Sequence, residues 1–189
     1  MLRPSAKGRL TVVVVTHDHA ETIEGCLQAA RVAGPAGTRL LVMDNASSDG
    51  TADLARGVAG VEVIETGANL GFSAAMNRGI LGSRSELVLA LGPDVLLEPG
   101  FFEALAPALG PGVAMATGLL LDLNDPGRID DAGTVLTRGR QFKSRGAGQP
   151  DRAQYPAGDV LAVCGGCCLL RRDAAEDLLL GGELFDEDF

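Results

Sequence analysis

The front half of the chain sets short apolar runs and helical stretches in strict alternation, and this pattern most limits the fold. Leu10 to Thr16 is an unbroken, largely β-branched run, as expected of a strand covered on both faces. Ala20 to Val32 has helical spacing through Ile23, Leu27 and Ala30, and Gly34-Pro35 stops it. Arg39 to Asp44, Val61 to Glu65 and Glu86 to Leu91 read as further strands. Helices from about Thr51 to Val58 and from Phe72 to Leu81 lie between them, with Ser47, Ser48 and Asp49 supplying capping side chains for the first. Strands and helices alternating at this spacing imply βαβ units on a parallel sheet.

The back half is less regular. Pro99 to Leu109 predicts a helix, Val113 to Leu121 a strand, Val160 to Leu170 a last strong strand and Asp173 to Leu180 a helix. Asn124 to Gln154, rich in Gly, Arg and Asp, is too long for an ordinary connection and reads as a functional loop with one hairpin. The fold class expected is α/β, Rossmann-like: a mostly parallel sheet flanked by helices, with a long irregular loop in the back half. No repeat or linker divides the 189 residues, which suffice for one domain with a substantial core.

The net charge of −9 argues against non-specific binding to nucleic acid or to an anionic membrane. No apolar run approaches the roughly 20 residues of a bilayer span. Arg3, Lys7 and Arg9 precede a strand pattern, not a signal-peptide core. The expectation is a soluble cytoplasmic protein, or one peripheral to the inner membrane face. Four cysteines do not make a secreted disulfide framework in a chain of this length. Neither G-x-G-x-x-G nor G-x-x-x-x-G-K-[ST] occurs after the first strand, so dinucleotide and P-loop chemistry are unexpected.

Two strands each run into a carboxylate, Asp44 after Leu40-Leu41-Val42-Met43 and Asp94 after Leu91-Gly92-Pro93. Ligands of an open α/β sheet bind beyond the carboxyl ends of its strands, so these acids lead the search for a site. Asn69, Gly71 and Asn77 surround a turn into a helix, where Gly71 permits close backbone approach and the helix N-terminus favours anions; a capped helix start without ligand is the plain alternative. His17 and His19 share a strand face, yet no third residue has metal-site spacing. Arg138, Arg140, Lys143 and Arg145 suit a diphosphate or an anionic acceptor, or equally a solvated loop. Cys164-Gly-Gly-Cys167-Cys168, within an apolar strand, reads as packing before zinc or redox chemistry.

Taken in order, five segments resemble glycosyltransferase family 2, inverting transferases of the GT-A fold. They are Val12-Val13-Val14-Val15-Thr16-His17-Asp18, Met43-Asp44-Asn45-Ala46-Ser47-Ser48-Asp49-Gly50-Thr51, Asn69-Leu70-Gly71-Phe72 through Asn77-Arg78-Gly79, Leu91-Gly92-Pro93-Asp94, and Gly165 to Arg172 with Phe185-Asp186-Glu187-Asp188-Phe189. The resemblance implies that Asp44 accepts a hydrogen bond from the base of a uracil or thymine nucleotide. It implies that Thr16, His17 and Asp18 flank that base, His17 standing where Tyr is usual. It further implies that Asn69, Gly71 and Asn77 line the donor site, and that Gly92, Pro93 and Asp94 meet the diphosphate. Asp94 would contact Mg²⁺ or Mn²⁺, with Gly92 in place of a first acid. The expected partners are a nucleotide-sugar donor, UDP- or dTDP-linked as in rhamnosyl- and galactofuranosyltransferase-like members, and a hydroxyl acceptor: a glycan, a lipid-linked glycan or a small molecule. Residues 1–97 would form the nucleotide-binding half and residues 98–189 an incomplete acceptor half. The family's general base falls beyond Phe189, so the expectation is a chain cut short of its catalytic residue. Two other readings stand beside it: a binding module without turnover, and a sugar nucleotidyltransferase, for which His17-Asp18-His19 replaces the required Gly-rich loop.

Overall fold

The computed structural model describes residues 10–188; Arg3, Lys7, Arg9 and Phe189 lie outside the described residues. The chain runs β1 (Leu10–Thr16), α1 (Ile23–Ala33), β2 (Arg39–Asp44), α2 (Thr51–Gly57), β3 (Val61–Glu65), α3 (Gly71–Gly82) and β4 (Leu87–Leu91). It continues through α4 (Phe101–Leu105), β5 (Met115–Ala116), β6 (Leu120–Leu121), β7 (Ile129–Asp131), β8 (Thr134–Leu136), β9 (Phe142–Ser144), β10 (Cys167–Arg171) and α5 (Arg172–Asp177). The main sheet has the order β3-β2-β1-β4-β10-β5. β1, β2, β3 and β4 are parallel, while β10 runs antiparallel to both β4 and β5. This is the mixed α/β, mostly parallel sheet that the sequence predicts.

Alternation along the strands feeds two cores. Val12, Val14, Leu40, Val42, Leu89, Leu91, Cys167 and Leu169 face α1 and α2 together with Phe102. Val13, Val15, Leu41, Met43, Val88, Ala90, Cys168 and Leu170 face Ala75, Met76 and Ile80 of α3 and Ala175 of α5. Burial on both faces explains why β1 reads as a continuous apolar run, since every second residue serves a different layer.

Several expected bounds need correction. The strand expected over Val113 to Leu121 breaks into β5 and β6. Between them Thr117 Oγ1 donates to the Cys167 carbonyl at 2.7 Å, and Gly118 passes so close to Phe101 that a Cβ would lie 2.9 Å from its ring. The strand expected over Val160 to Leu170 begins only at Cys167, because residues 164–167 form a turn closed by Cys167 N–H to the Cys164 carbonyl. Cys164 therefore sits on a turn, while Cys167 and Cys168 are buried as packing predicts. The first helix starts at Ile23, not Ala20, since Ala20 N–H donates to Asp49 Oδ2 at 2.9 Å. The helix expected to Leu109 ends at Leu105 in a 3-10 turn, Ala106–Ala108, with Pro107 in its first turn. The long loop contains the β8–β9 hairpin, and β7 pairs with β6.

Candidate functional site

β1 and β2 end in register, Thr16 opposite Asp44, and β4 ends at Leu91 on the other side of β1. The ends of β2 and β4 therefore lie two strand spacings apart, about 10 Å, with Asp44 the last residue of β2 and Asp94 on the turn beyond β4.

The two acids differ in environment. Asp44 is 1% exposed, and both of its carboxylate oxygens are hydrogen bonded to Ser47: Oδ1 accepts from Ser47 Oγ at 2.6 Å and Oδ2 from Ser47 N–H at 3.0 Å. Each oxygen retains a second lone pair. The assignment of Ser47 as a helix cap is corrected accordingly, since Ser47 closes a turn on Asp44; it is Asp49 whose Oδ1 accepts from the N–H of Thr51, the first residue of α2, at 3.0 Å. Asp94 is exposed, and its carboxylate makes no hydrogen bond or ion pair among the described residues.

The loops after β1 and β2 are stitched together. Asp18 N–H donates to Ser47 Oγ at 3.0 Å, and Asp18 Oδ1 accepts from Ser48 N–H at 2.7 Å. His19 N–H donates to Thr51 Oγ1 at 2.8 Å. Asp49 accepts from the Thr51 hydroxyl, from Ala20 N–H and from Thr51 N–H, which together lower its carboxyl pKa to about 2. Asp18 and Ala46 hold left-handed backbone, with φ 57° and 61°; alanine rarely does so, and the stitching is what holds it there. Thr16 is buried with Oγ1 3.3 Å from His19 Nδ1, whereas His17 is exposed. No group of three His, Cys, Asp or Glu side chains among the described residues is placed to hold a metal ion.

α3 opens at the same edge. Gly71 has φ 79°, its N–H donates to Asn69 Oδ1 at 3.0 Å, and its carbonyl accepts from Asn45 Nδ2 at 3.0 Å. Asn45, inside the D-N-x-S motif but not singled out from sequence, thus ties α3 to the end of β2. Asn77 requires a correction. It is 2% exposed, and its amide is saturated by the C-terminal segment: Nδ2 donates to the Phe185 carbonyl and Glu187 Oε1, while Oδ1 accepts from the Leu184 and Phe185 N–H groups. No hydrogen-bonding capacity remains for a ligand.

The Gly92-Pro93-Asp94 loop is gripped by two groups that the sequence did not reveal as site neighbours. Gly92 N–H donates to the Gly166 carbonyl at 2.7 Å, and the Gly92 carbonyl accepts from Cys26 Sγ at 3.3 Å. Burial, aided by the nearby Asp94 charge, pushes the Cys26 thiol up to about 12, so it stays a donor. The basic cluster of the long loop divides. Arg138, Arg140 and Lys143 are exposed on the β8–β9 hairpin, but Arg145 turns inward, donating from Nε to the Ala132 carbonyl at 2.8 Å and lying 5.0 Å from the Tyr155 ring centre.

A cleft of about 1150 Å³ runs along β5 and β10 and includes neither aspartate. Met115, Leu119, Leu161, Leu184 and Phe185 make its wall mainly apolar, and Arg145 supplies a charge.

The sequence profile of glycosyl transferase family 2 matches residues 11–179. The chain belongs to this family. An N-acetylglucosaminyl-diphospho-decaprenol L-rhamnosyltransferase of Mycobacterium tuberculosis is 34% identical over 123 residues, covering 54% of this chain and 40% of the relative. An uncharacterized glycosyltransferase of Mycobacterium bovis is 33% identical over 109 residues, covering 58% of this chain and 47% of the relative. The chain thus spans less than half the length of these relatives. A mannosyltransferase from Pyrobaculum calidifontis, solved with GDP-Man and Mn²⁺, superposes with a TM-score of 0.53 at 24% identity, covering 64% of this chain and 38% of that one. The shared architecture is the GT-A fold. Among the described residues no helix is long and apolar enough to cross a membrane.

Proposed function

We propose that this family 2 domain binds a UDP- or dTDP-linked sugar across the carboxyl ends of β1, β2 and β4 and transfers the sugar, with inversion, to a hydroxyl acceptor. The observation that carries the reading is Asp44: a buried carboxylate, fixed by Ser47, with acceptor capacity left at the strand edge. A fixed acceptor there matches the imide N–H of uracil or thymine. Thr16, His17 and Asp18 flank the base, and the stitched loops hold them without reorganisation on binding. Asn69 and Gly71 present the α3 N-terminus to the phosphates. Gly92 and Pro93 carry Asp94 to the diphosphate.

One exposed carboxylate is a fit for Mg²⁺ or Mn²⁺ only when the diphosphate supplies further oxygens, because Asp94 is the one acid at that loop end. Asp94 would hold the ion, whose charge would stabilise the departing diphosphate. The acceptor side is the apolar cleft, which suits a lipid-linked glycan better than a free sugar; the diphospho-decaprenol named in the mycobacterial relative supports that choice. Residues 1–97 are then the nucleotide half and residues 98–189 the acceptor half of one domain. Such a protein would work in the cytoplasm or at the inner membrane face.

A calorimetric panel of UDP-, dTDP- and GDP-sugars with and without Mn²⁺ tests the reading. Binding of a pyrimidine nucleotide, strengthened by Mn²⁺, is expected, and failure of every pyrimidine nucleotide would sink it. A second reading, a binding module without turnover, draws on Gly92 standing where a first acid is expected. Donor turnover would remove it.

A further inference from the structure

Asn77 lies on the sheet-facing side of α3, between Met76 and the buried Gly79 and Ile80, where an apolar side chain is the ordinary choice. Burying an unpaired amide there would cost on the order of 2 kcal/mol or more, so its partners matter. All four of its hydrogen bonds go to one stretch, Leu184 to Glu187, which lies 107 to 110 positions away in sequence. That stretch belongs to no helix or strand. Its remaining ties are Glu187 N–H to Glu183 Oε2 at 3.3 Å, Phe185 edge-on to Phe72 at 6.0 Å between ring centres, and the non-directional packing of Leu184 and Phe185 against the core under α3. Leu184 and Phe185 of the same stretch wall the apolar cleft.

We propose that Asn77 is a positioning residue: its amide fixes the Leu184–Glu187 wall of the acceptor cleft to the helix whose N-terminus serves the donor. The inference rests on the reading of donor crevice and acceptor cleft given above. α3 then couples the two sites mechanically. Gly71 at its start belongs to the donor mouth, and Asn77, about 9 Å farther along the axis, grips the acceptor wall. A lost clamp would loosen the cleft without touching the nucleotide.

The test compares Asn77→Ala, Asn77→Asp and the double variant Asn77→Asp with Glu187→Gln. Asp at 77 keeps one oxygen on the Leu184 and Phe185 amides, but its other oxygen meets the Phe185 carbonyl and, as a like charge, the Glu187 carboxylate. Gln at 187 restores a donor across that pair. Three measurements are made: UDP and dTDP affinity, affinity for octyl glucoside as an amphiphilic hydroxyl probe of the cleft, and hydrogen exchange at the Leu184 and Phe185 amides. In Asn77→Ala, exchange at these amides should accelerate about tenfold or more. Octyl glucoside affinity should fall about tenfold while nucleotide affinity stays within about twofold. The double variant should recover part of the octyl glucoside affinity that Asn77→Asp loses, which keeps the test informative if the alanine variant folds poorly. Nucleotide affinity falling with the amides still protected would overturn the proposal. So would a wild-type protein that does not bind octyl glucoside, or a double variant no better than Asn77→Asp. Absence of UDP and dTDP binding in the wild type would sink the donor reading alone, since exchange and the glucoside still decide the role of Asn77.

Discussion

Gly79, the last residue of the N-x-G-F…N-x-G segment, offers a sharp test of how α3 packs. A Cβ built there would lie 2.4 Å from Val13 Cγ1 and 3.3 Å from Met43 Cγ. The first distance is well inside the 3.5–4.0 Å of ordinary carbon contact, and Val13 is fully buried in the middle of β1 with no room to retreat. Gly79→Ala gains about 1 kcal/mol in helix propensity. Forcing the methyl into the sheet costs about 3 kcal/mol, the upper end of the overpacking range. The net loss is about 2 kcal/mol, which for a domain of this size lowers Tm by about 4–8 °C. Val13→Ala removes Cγ1 and leaves only Cβ, 3.5 Å from the new methyl. The double variant should therefore be more stable than the two single losses imply, with a coupling of about 2 kcal/mol from urea unfolding. A neutral Gly79→Ala, or strict additivity with Val13→Ala, would refute the claim that this glycine exists to let helix and strand approach.

Asp44→Asn leaves one acceptor oxygen where two now serve Ser47, so UDP affinity should fall about tenfold or more by calorimetry, with a drop of a few degrees in Tm. Asp94→Asn should abolish the strengthening of UDP binding by Mn²⁺ and leave metal-free affinity within about twofold; unchanged Mn²⁺ dependence would remove Asp94 from the site. Burial pushes the thiols of Cys26, Cys167 and Cys168 from 9.0 up to about 12. Their folded-state values are raised, so the stability they contribute is complete below pH 9.0 and is lost as pH rises toward 12. Each thiol should then weaken the folding constant by up to about tenfold per pH unit across that window, and a flat stability profile would contradict their burial.

The parallel strands were the ones legible from sequence. β1 and β2 have the predicted bounds because a strand buried between two helical layers is apolar through its middle and polar at its ends. β3 also has its predicted bounds, but it is the edge strand, with Glu62, Ile64 and Glu65 exposed, and its β-branched run between Gly60 and Gly67 marks it instead. The back half defeats the same logic. Val113 to Leu121 and Val160 to Leu170 are as apolar as strands, but much of that surface lines the cleft instead of pairing in the sheet. Apolar composition reports burial or a ligand-facing wall, and periodicity cannot separate the two over so few residues. Asn77 fails for another reason. Its motif placed it near the donor, and its actual partners, more than a hundred positions away, leave no local trace.

Asp44 and Asp94 looked equivalent as strand-end acids, yet local chemistry separates them. Ser47, three residues beyond Asp44, folds back to donate twice, whereas the turn after Gly92 offers Asp94 only Val95, whose N–H goes to the Gly92 carbonyl instead. The glycine at 92 is itself part of the arrangement. A Cβ there would meet Asp94 Oδ1 at 2.9 Å, Val95 Cγ2 at 3.2 Å and the Gly166 carbonyl at 3.4 Å. An acid at 92 would therefore turn the Asp94 carboxylate away and press on the C-G-G-C turn that holds the loop. The 2.7 Å bond from Gly92 N–H to the Gly166 carbonyl fixes the loop, and Asp94 is the exposed acid it carries.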